Sequence, residues 1–404
     1  MGVVKVLGLP ADRGRWLLIP LGLLVMLALG SVYAWSLFRA PLERELGLNA
    51  TESLLPFTFG LVFYSAFMPI TGLYLPRLGT RRATALGGLL VGVGYLLASG
   101  ATTGGALVLA YGAIAGTGIG VAYGVPLLVM SRWFPDRRGL AMGLTVVGFG
   151  LSPLVTAPLA NHWLTLYTVR PTLRLFGLVL MGVILALAPA LKLPPPEWRP
   201  PTLGVETVGE TPAPSPPLLQ NRLFYGLWIC YAIGTLVGLS AIGISSSVGQ
   251  ETIALDATAA ARSVSLFALC NGGSRPLFGW LSDRWPPHRV ATLSYGLMLV
   301  ACFLMANAQA GQVMTYRLAF GLFWFCLGGW LATAPTLTVR FFAPERYAQN
   351  YGLVFTAYGT GALLGTLATG RLRDVFGSYQ YVFYGMALLA IAGIVTAWTL
   401  LRSR

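Results

Sequence analysis

Charged side chains are scarce in this chain: Asp, Glu, Lys and Arg together make up only 10% of its 404 residues. A soluble globular domain contains about 25% charged residues. Here 56% of the residues are hydrophobic, and the mean hydropathy is +0.71. Uncharged runs long enough to cross a bilayer recur along the whole chain, beginning at Trp16. The composition excludes an ordinary soluble domain and predicts an all-α integral membrane protein.

Acidic residues and histidine are scarcer still. The predicted spans contain no Asp or Glu, and the two histidines, His162 and His288, lie in different environments. An enzyme would need a nucleophile with a base, or a metal cluster, and these residues supply neither. We therefore predict that the protein is not an enzyme and needs no cofactor or metal. The cysteines all lie in apolar runs and are interpreted as buried free thiols.

The net charge of +14 comes from Arg and Lys in short segments between the apolar runs, and it does not indicate nucleic-acid binding. If the N-terminus is cytoplasmic, 18 of the 27 basic residues lie on the cytoplasmic side. The positive-inside rule expects such an excess. We predict a multi-pass protein of the cell (inner) membrane with both termini in the cytoplasm.

Charge clusters and turn residues divide the chain into twelve predicted spans in two pseudo-symmetric six-helix bundles. Residues 1–191 form the first bundle and residues 221–404 the second, and a linker at 192–220 carries nine prolines, too many for a helix. The spans are predicted at residues 16–38, 54–75, 83–102, 106–131, 139–163, 171–191, 222–248, 260–282, 290–308, 312–339, 347–370 and 379–401.

The two halves resemble each other in sequence. Pro135-Asp136-Arg137 and the glycines that follow recur as Pro344-Glu345-Arg346 at an offset of 209 residues, and Gly72 with Arg77 recurs as Gly279 with Arg284 at an offset of 207. Parallel repeats of this kind place a substrate site at mid-membrane between the halves. The pattern favours a carrier with alternating access over a channel.

Arg275 lies about four residues, or roughly 6 Å, from the middle of its span. A central arginine costs at least ~2.5 to 3.5 kcal/mol on insertion scales. A guanidinium matches a carboxylate bidentately, so we favour a substrate anion as its partner, with a structural role satisfied by carbonyls or water as the alternative. Asn271, one helical turn earlier, is expected to orient Arg275 or to hydrogen-bond a substrate oxygen, with a hydrogen bond to a neighbouring helix as the alternative.

Several aromatic residues inside the spans are further candidates for the substrate site. Tyr351, Phe355 and Tyr358 share one helix face, where they could wall a small cavity. Packing or a lipid-facing position is an open alternative for each residue taken alone. Together with Arg275 and Asn271, the predicted substrate-binding set comprises Tyr33, Tyr123, Trp330, Phe355 and Tyr358. The predicted gating residues are Asp283, Arg284, Asp136 and Arg137, in loops on the cytoplasmic side.

Several motifs resemble the major facilitator superfamily, and within it the monocarboxylate transporters and bacterial oxalate/formate exchangers. Gly279 to Arg284 resembles the superfamily's loop motif, and Trp133 to Gly143 is similar to the fifth-helix signature of the monocarboxylate transporters. Tyr33 to Phe38 resembles the first helix of the bacterial exchangers. The resemblance implies the major facilitator fold and a substrate-binding role for Arg275.

The same resemblance implies proton-coupled symport of a short monocarboxylate such as L-lactate or pyruvate, with electroneutral carboxylate antiport as the alternative. A membrane-embedded enzyme is a remote alternative. The animal transporters have a lysine and an aspartate where this chain has Leu37 and Asn271, so the usual proton relay is not expected. The expected partners are the monocarboxylate, a proton and the lipid bilayer, and we expect the monomer to be functional.

Overall fold

The computed structural model describes residues 4–195, 198, 218–342 and 347–402, without the side chains of residues 138, 139, 347 and 348. This part of the chain is helical apart from one small hairpin, in which β1 (Lys5–Val6) pairs antiparallel with β2 (Leu9–Pro10). Leu7 and Gly8 both have positive φ, as a two-residue hairpin turn requires. The all-helical membrane fold predicted from the sequence is confirmed.

The described residues form fifteen α-helices, and most of the predicted spans correspond to a single one. Their bounds are α1 Ala11–Gly14, α2 Leu18–Leu29, α3 Ser36–Leu46, α4 Ala50–Leu78, α5 Thr80–Ser99, α6 Gly104–Leu107, α7 Gly116–Trp133, α8 Arg138–Leu166, α9 Val169–Leu187, α10 Arg222–Glu251, α11 Ala257–Arg284, α12 Pro287–Ala306, α13 Val313–Phe341, α14 Tyr347–Phe376 and α15 Gln380–Leu400.

Eleven spans in the described part of the chain are long and apolar enough to cross a membrane. The predicted eighth span, α11, is not among them, although its 28 residues cover about 42 Å at 1.5 Å per residue. Its polar and charged side chains, Arg262, Asn271 and Arg275 among them, lower its hydropathy. Helix α11, the predicted span that is not apolar enough to be counted, is therefore the one that contains Arg275.

The first span differs from its prediction at residues 16–38. Helix α2 ends at Leu29, a 3-10 turn occupies Gly30–Ala34, and α3 continues to Leu46. A Cβ atom on Gly30 would lie 2.3 Å from the carbonyl oxygen of Phe149, so glycine is needed where α8 crosses this turn. Arg39, beyond the predicted end of the span, lies within α3 and is completely buried.

Helices before residue 192 (the N-terminal half) meet helices after residue 217 (the C-terminal half) mainly along two pairs, in which α4 packs on α14 and α8 packs on α11. Helix α3 also packs on α10, over a smaller contact. Hydroxyl groups join the halves deep in this interface. Thr58 and Thr366 hydrogen-bond each other, and the Ser65 hydroxyl donates to the Phe355 carbonyl at 2.9 Å.

The interface is tighter toward one face of the molecule. We call the face where α9 ends and α10 begins the linker side, and the other the opposite side. On the opposite side, described hydrogen bonds between the halves reach the helix ends, where Thr51 contacts Asp374 and Asn161 contacts Thr258. Among the described hydrogen bonds that α8 makes to the other half, the one nearest the linker side is accepted by the Val146 carbonyl. At 1.5 Å per residue, Val146 lies about 12 Å inside α8 from its first residue.

A buried ion pair fastens the N-terminal segment on the linker side. Arg15 donates to both carboxylate oxygens of Asp136 at 2.6 and 2.8 Å, and to the Trp133 carbonyl at 3.1 Å. The Trp133 indole donates to the Lys192 carbonyl at 2.7 Å, which ties the start of the predicted linker to the same cluster. Most of the linker, and the repeat at Pro344-Glu345-Arg346, lie outside the described residues.

Replacing Asp136 by alanine should destabilise the protein strongly. The Arg15 and Asp136 side chains are only 6% and 7% exposed, and removing one partner of a buried pair costs about 3 to 5 kcal/mol. Glu45→Ala is the matched control, because the Arg170–Glu45 pair is about one-third exposed and such pairs contribute about 0 to 1 kcal/mol. Thermal unfolding of the purified variants measures the difference. Equal unfolding temperatures would show that the buried pair does not hold this segment.

Candidate functional site

Arg275 lies where α11 crosses α8, and its side chain is buried. One terminal nitrogen, Nη1, donates to the Val146 carbonyl of α8 at 2.7 Å, and Nη2 donates to the Asn271 amide oxygen at 3.0 Å. The third donor, Nε, is buried and has no partner among the described residues. The guanidinium is thus held by neutral oxygens, and no described carboxylate compensates its charge.

Asn271 orients the arginine. Its amide nitrogen donates to the Trp324 carbonyl of α13 at 2.8 Å, which directs the amide oxygen at Arg275. The side chain therefore makes two of the contacts expected of it, a hydrogen bond to a neighbouring helix and an orienting hydrogen bond to Arg275. Both contacts are made by a side chain that is completely buried.

Gly150 of α8 is the close neighbour of this polar pair. A Cβ atom at this position would lie 2.6 Å from the Asn271 amide oxygen and 3.1 Å from both Nε and Nη2 of Arg275. Any larger residue would have to displace the guanidinium or the amide. The sequence does not predict this role for Gly150, because a glycine in a membrane helix ordinarily indicates helix packing.

Tyr33 joins the two halves beside Arg275. The 3-10 turn between α2 and α3 carries Tyr33, whose hydroxyl hydrogen-bonds the Tyr358 hydroxyl of α14 at 3.0 Å. The Tyr33 ring also contacts Phe149 and Trp324, with ring centroids 5.1 and 6.1 Å away. Because Phe149 precedes Gly150, and Trp324 binds Asn271, the tyrosine belongs to the same neighbourhood as the arginine.

The predicted aromatic face of α14 forms as expected from its spacing. The Phe355 ring stacks on Tyr358 with centroids 4.9 Å apart, and Tyr351 meets Phe355 edge-on at 5.6 Å. Tyr123 of α7 contacts Phe355 at 6.3 Å. The structure therefore brings Tyr33, Tyr123, Phe355 and Tyr358 into one aromatic cluster at the interface between the halves.

Two further residues, Tyr64 and Phe149, belong to this cluster and were not predicted from the sequence. Tyr64 of α4 contacts Tyr123, Phe355 and Tyr358 with centroid distances of 5.1 to 5.5 Å, and Phe149 of α8 contacts Tyr33 and Tyr123. Tyr64 carries the signal used for the other tyrosines, a polar-tipped aromatic inside a span. Phe149 has no such signal, because its place depends on how α8 crosses the 3-10 turn.

Trp330 lies deeper in the C-terminal half than the other candidates. Its ring contacts Tyr295 at 5.5 Å and Tyr231 at 6.2 Å, and Tyr231 in turn contacts Phe355 at 6.4 Å. The indole nitrogen is buried without a partner among the described residues. Trp330 is therefore separated from the central cluster by Tyr231.

The predicted gating residues lie on the linker side, and their described contacts stay within their own half. Asp136 binds Arg15, and the Arg137 guanidinium lies 5.7 Å from the Trp16 ring. The Arg284 guanidinium lies 4.3 Å from the Trp280 ring, while Asp283 is exposed. None of these contacts in the described structure links one half to the other.

Comparison with known proteins places the chain in a family. The sequence model of the Major Facilitator Superfamily matches residues 21–324 and 231–404. The oxalate:formate antiporter of Oxalobacter formigenes is 27% identical over 364 residues, which cover 90% of this chain and 86% of that protein. Monocarboxylate transporter 13 of Rattus norvegicus is 29% identical over 351 residues, which cover 84% of this chain and 78% of that protein.

The fold agrees with this assignment. A bacterial homolog of the human lysosomal transporter Spinster, solved in an inward-facing and occupied conformation, superposes with a TM-score of 0.72 over 95% of this chain and 96% of that chain. The identity between the two sequences is 14%, so this likeness concerns the fold alone. The family match, the relatives and the helical architecture agree, and this chain belongs to the Major Facilitator Superfamily of membrane transporters.

Proposed function

We propose that the protein is a secondary active transporter of short monocarboxylates, such as lactate or pyruvate, and that it works by proton-coupled symport with alternating access. The observation that carries the proposal is Arg275, a buried cation at the interface of the two halves whose Nε has no partner among the described residues. A carboxylate would neutralise this charge and accept from two guanidinium donors at once. The similarity to an oxalate:formate antiporter and to monocarboxylate transporter 13 supports the same substrate class.

The surroundings of Arg275 favour a small organic anion with one charge. The described helices place no Asp or Glu near the guanidinium, and the aromatic cluster supplies apolar walls with tyrosine hydroxyls. A single fixed cation balances a single carboxylate. A dicarboxylate would bring a second charge, and desolvating it without a partner is costly.

Alternating access is supported by the asymmetry of the interface. Polar contacts close the opposite side up to the helix ends, whereas those toward the linker side stop near Arg275. We propose that residues 1–191 and 221–404 move as two bundles joined by the 192–220 linker, and that Asp283, Arg284, Asp136 and Arg137 act as gates on the linker side.

We propose that the protein lies in the cell (inner) membrane with both termini in the cytoplasm. We also propose that the monomer is functional.

Electroneutral carboxylate exchange is the second candidate. Among the described residues, the hydrogen bonds of Arg275 are accepted by neutral oxygens, and moving an uncompensated charge through the membrane is unfavourable. An occupied carrier should therefore reorient more easily than an empty one. Symport requires that a proton travel with the substrate, on ordered water or on a polar side chain, so that the empty carrier can return.

Arg275→Lys should weaken lactate binding about 10- to 100-fold, although it keeps the positive charge. Lysine lacks the planar fork, and losing a hydrogen bond to a charged group costs about 1.5 to 3 kcal/mol. Equilibrium binding of labelled lactate to purified protein measures the change. The control is Arg262→Lys, an exposed arginine on the same helix, which should bind as the wild type does. Unchanged binding by Arg275→Lys would remove this residue from the substrate site.

Gly150→Ala should also weaken lactate binding, by about tenfold, because the new methyl group would overlap the Asn271 oxygen and crowd Arg275. Gly143→Ala on the same helix is the control, because a Cβ there meets no atom within 4 Å. The same binding assay, with thermal unfolding to verify folding, compares the two. Equal affinity in both variants would show that the guanidinium position is not critical for binding.

A further inference from the structure

Arg39 is the largest completely buried charge on the opposite side, and nothing in the proposed transport site uses it. It lies in α3, and its side chain is 0% exposed. Three of its hydrogen bonds stay within the N-terminal half. Nε donates to the Ser53 hydroxyl at 2.9 Å, and Nη2 donates to the Glu43 carboxylate at 3.1 Å and to the Ala50 carbonyl at 3.2 Å.

The remaining nitrogen, Nη1, turns to the C-terminal half. Its described acceptors are the Ser247 hydroxyl at 3.0 Å, the Tyr379 hydroxyl at 3.1 Å and the Gly243 carbonyl at 3.4 Å. Ser247 and Gly243 belong to α10, and Tyr379 directly precedes α15. Nε and Nη2 of Arg39 therefore hydrogen-bond the N-terminal half, whereas the described acceptors of Nη1 all belong to the C-terminal half.

A second contact reinforces the same edge of the interface. The Asp374 carboxylate at the end of α14 accepts from the backbone nitrogens of Ala50 and Thr51 at 3.0 and 3.1 Å, and from the Thr51 hydroxyl. These nitrogens are the free donors at the start of α4, where a negative charge is favourable. Each half thus contributes one charged group to closing the opposite side.

Separation of the halves at this edge would affect the nitrogens of Arg39 unequally. Nε and Nη2 would keep every described partner, so the arginine would stay in place on α3. Nη1 would lose all three acceptors together and would have to be hydrated. Because a donor on a charged group is costly to leave unpaired, these contacts favour the closed arrangement and are lost in the open one.

We propose that Arg39 stabilises the closed state of the opposite side through hydrogen bonds that break when this side opens. We call these hydrogen bonds the latch: Nη1 donates to Ser247, Tyr379 and Gly243. The proposal rests on the proposed alternating-access function. It assigns Arg39 a positioning role in transport: the residue sets the balance between the two access states and does not contact the substrate. The proposed carboxylate site is at Arg275.

Tyr379→Phe combined with Ser247→Ala tests the latch without altering Arg39. Both changes are small, and they remove the two hydroxyl acceptors of Nη1. Ser53→Ala is the matched control, since it removes an acceptor that serves the same guanidinium in both states. Spin labels on cysteines at the exposed positions Thr102 and Gln309, with Cys270 changed to serine, report the separation of the halves on the opposite side.

In the double variant, the ratio of molecules with a long distance between the two labels to molecules with a short distance should rise at least about tenfold. In Ser53→Ala, this ratio should equal that of the wild type. Two results would overturn the latch: a wild-type distance distribution in the double variant, or an equal shift in Ser53→Ala. The distance measurement needs no substrate, so it tests the latch independently of transport. Failure of the wild type to transport lactate would instead count against the proposed function.

Transport supplies a second readout that mere structural damage would not reproduce. A larger open fraction raises apparent affinity on the side that opens and lowers it on the other, because apparent Kd scales inversely with the competent fraction. In oriented liposomes, the double variant should lower the KM for lactate on the opposite side and raise it on the linker side. A KM that changes equally on both sides, or on neither, would contradict the latch.

Discussion

A buried arginine that no described carboxylate neutralises is the constraint on which this structure depends. Arg275 costs energy wherever it lies in the membrane, and the surrounding helices reduce that cost with two neutral oxygens, one from α8 and one from its own helix. The requirement explains several features that otherwise seem unrelated. Asn271 is fixed by Trp324, Gly150 has no side chain, and α8 crosses the first span at Gly30, where a Cβ would collide with the Phe149 carbonyl.

The same interaction connects binding to movement. The bond from Arg275 to the Val146 carbonyl joins the C-terminal half to the N-terminal half. A carboxylate that binds Nη1 would compete with that carbonyl, so occupancy of the site changes a contact between the two moving parts. A ligand shifts a conformational equilibrium only through such differential contacts. Arg39 applies the same principle at the opposite side, where protein oxygens are the exchangeable partners.

Much of this could be predicted from the sequence, for physical reasons. Span positions follow from hydropathy, and the importance of Arg275 follows from the cost of its burial. The aromatic face of α14 follows from helical spacing, and Phe355 and Tyr358 stack accordingly. In the described part of the chain, eleven of the twelve predicted spans correspond to helices that are long and apolar enough to cross a membrane.

What could not be predicted depends on how helices cross. The 3-10 turn at Gly30–Ala34 arises from close contact with α8, and no local pattern marks it. Arg39 follows an apolar run and reads as the first residue of a loop, so its burial becomes visible only when α10 and Tyr379 are placed around it. The residue type of Trp330 predicts a place in the substrate site, whereas in the structure Tyr231 lies between Trp330 and the central aromatic cluster.

The most direct test of the central claim is uptake of labelled lactate by protein-loaded liposomes, with and without an inward proton gradient and with and without internal lactate. The account predicts saturable uptake that needs an intact Arg275 and is stimulated by the proton gradient alone. Stimulation by internal lactate alone would make the protein an exchanger whose empty form cannot return. Absence of lactate uptake under every condition would contradict the assignment of Arg275 as a monocarboxylate site.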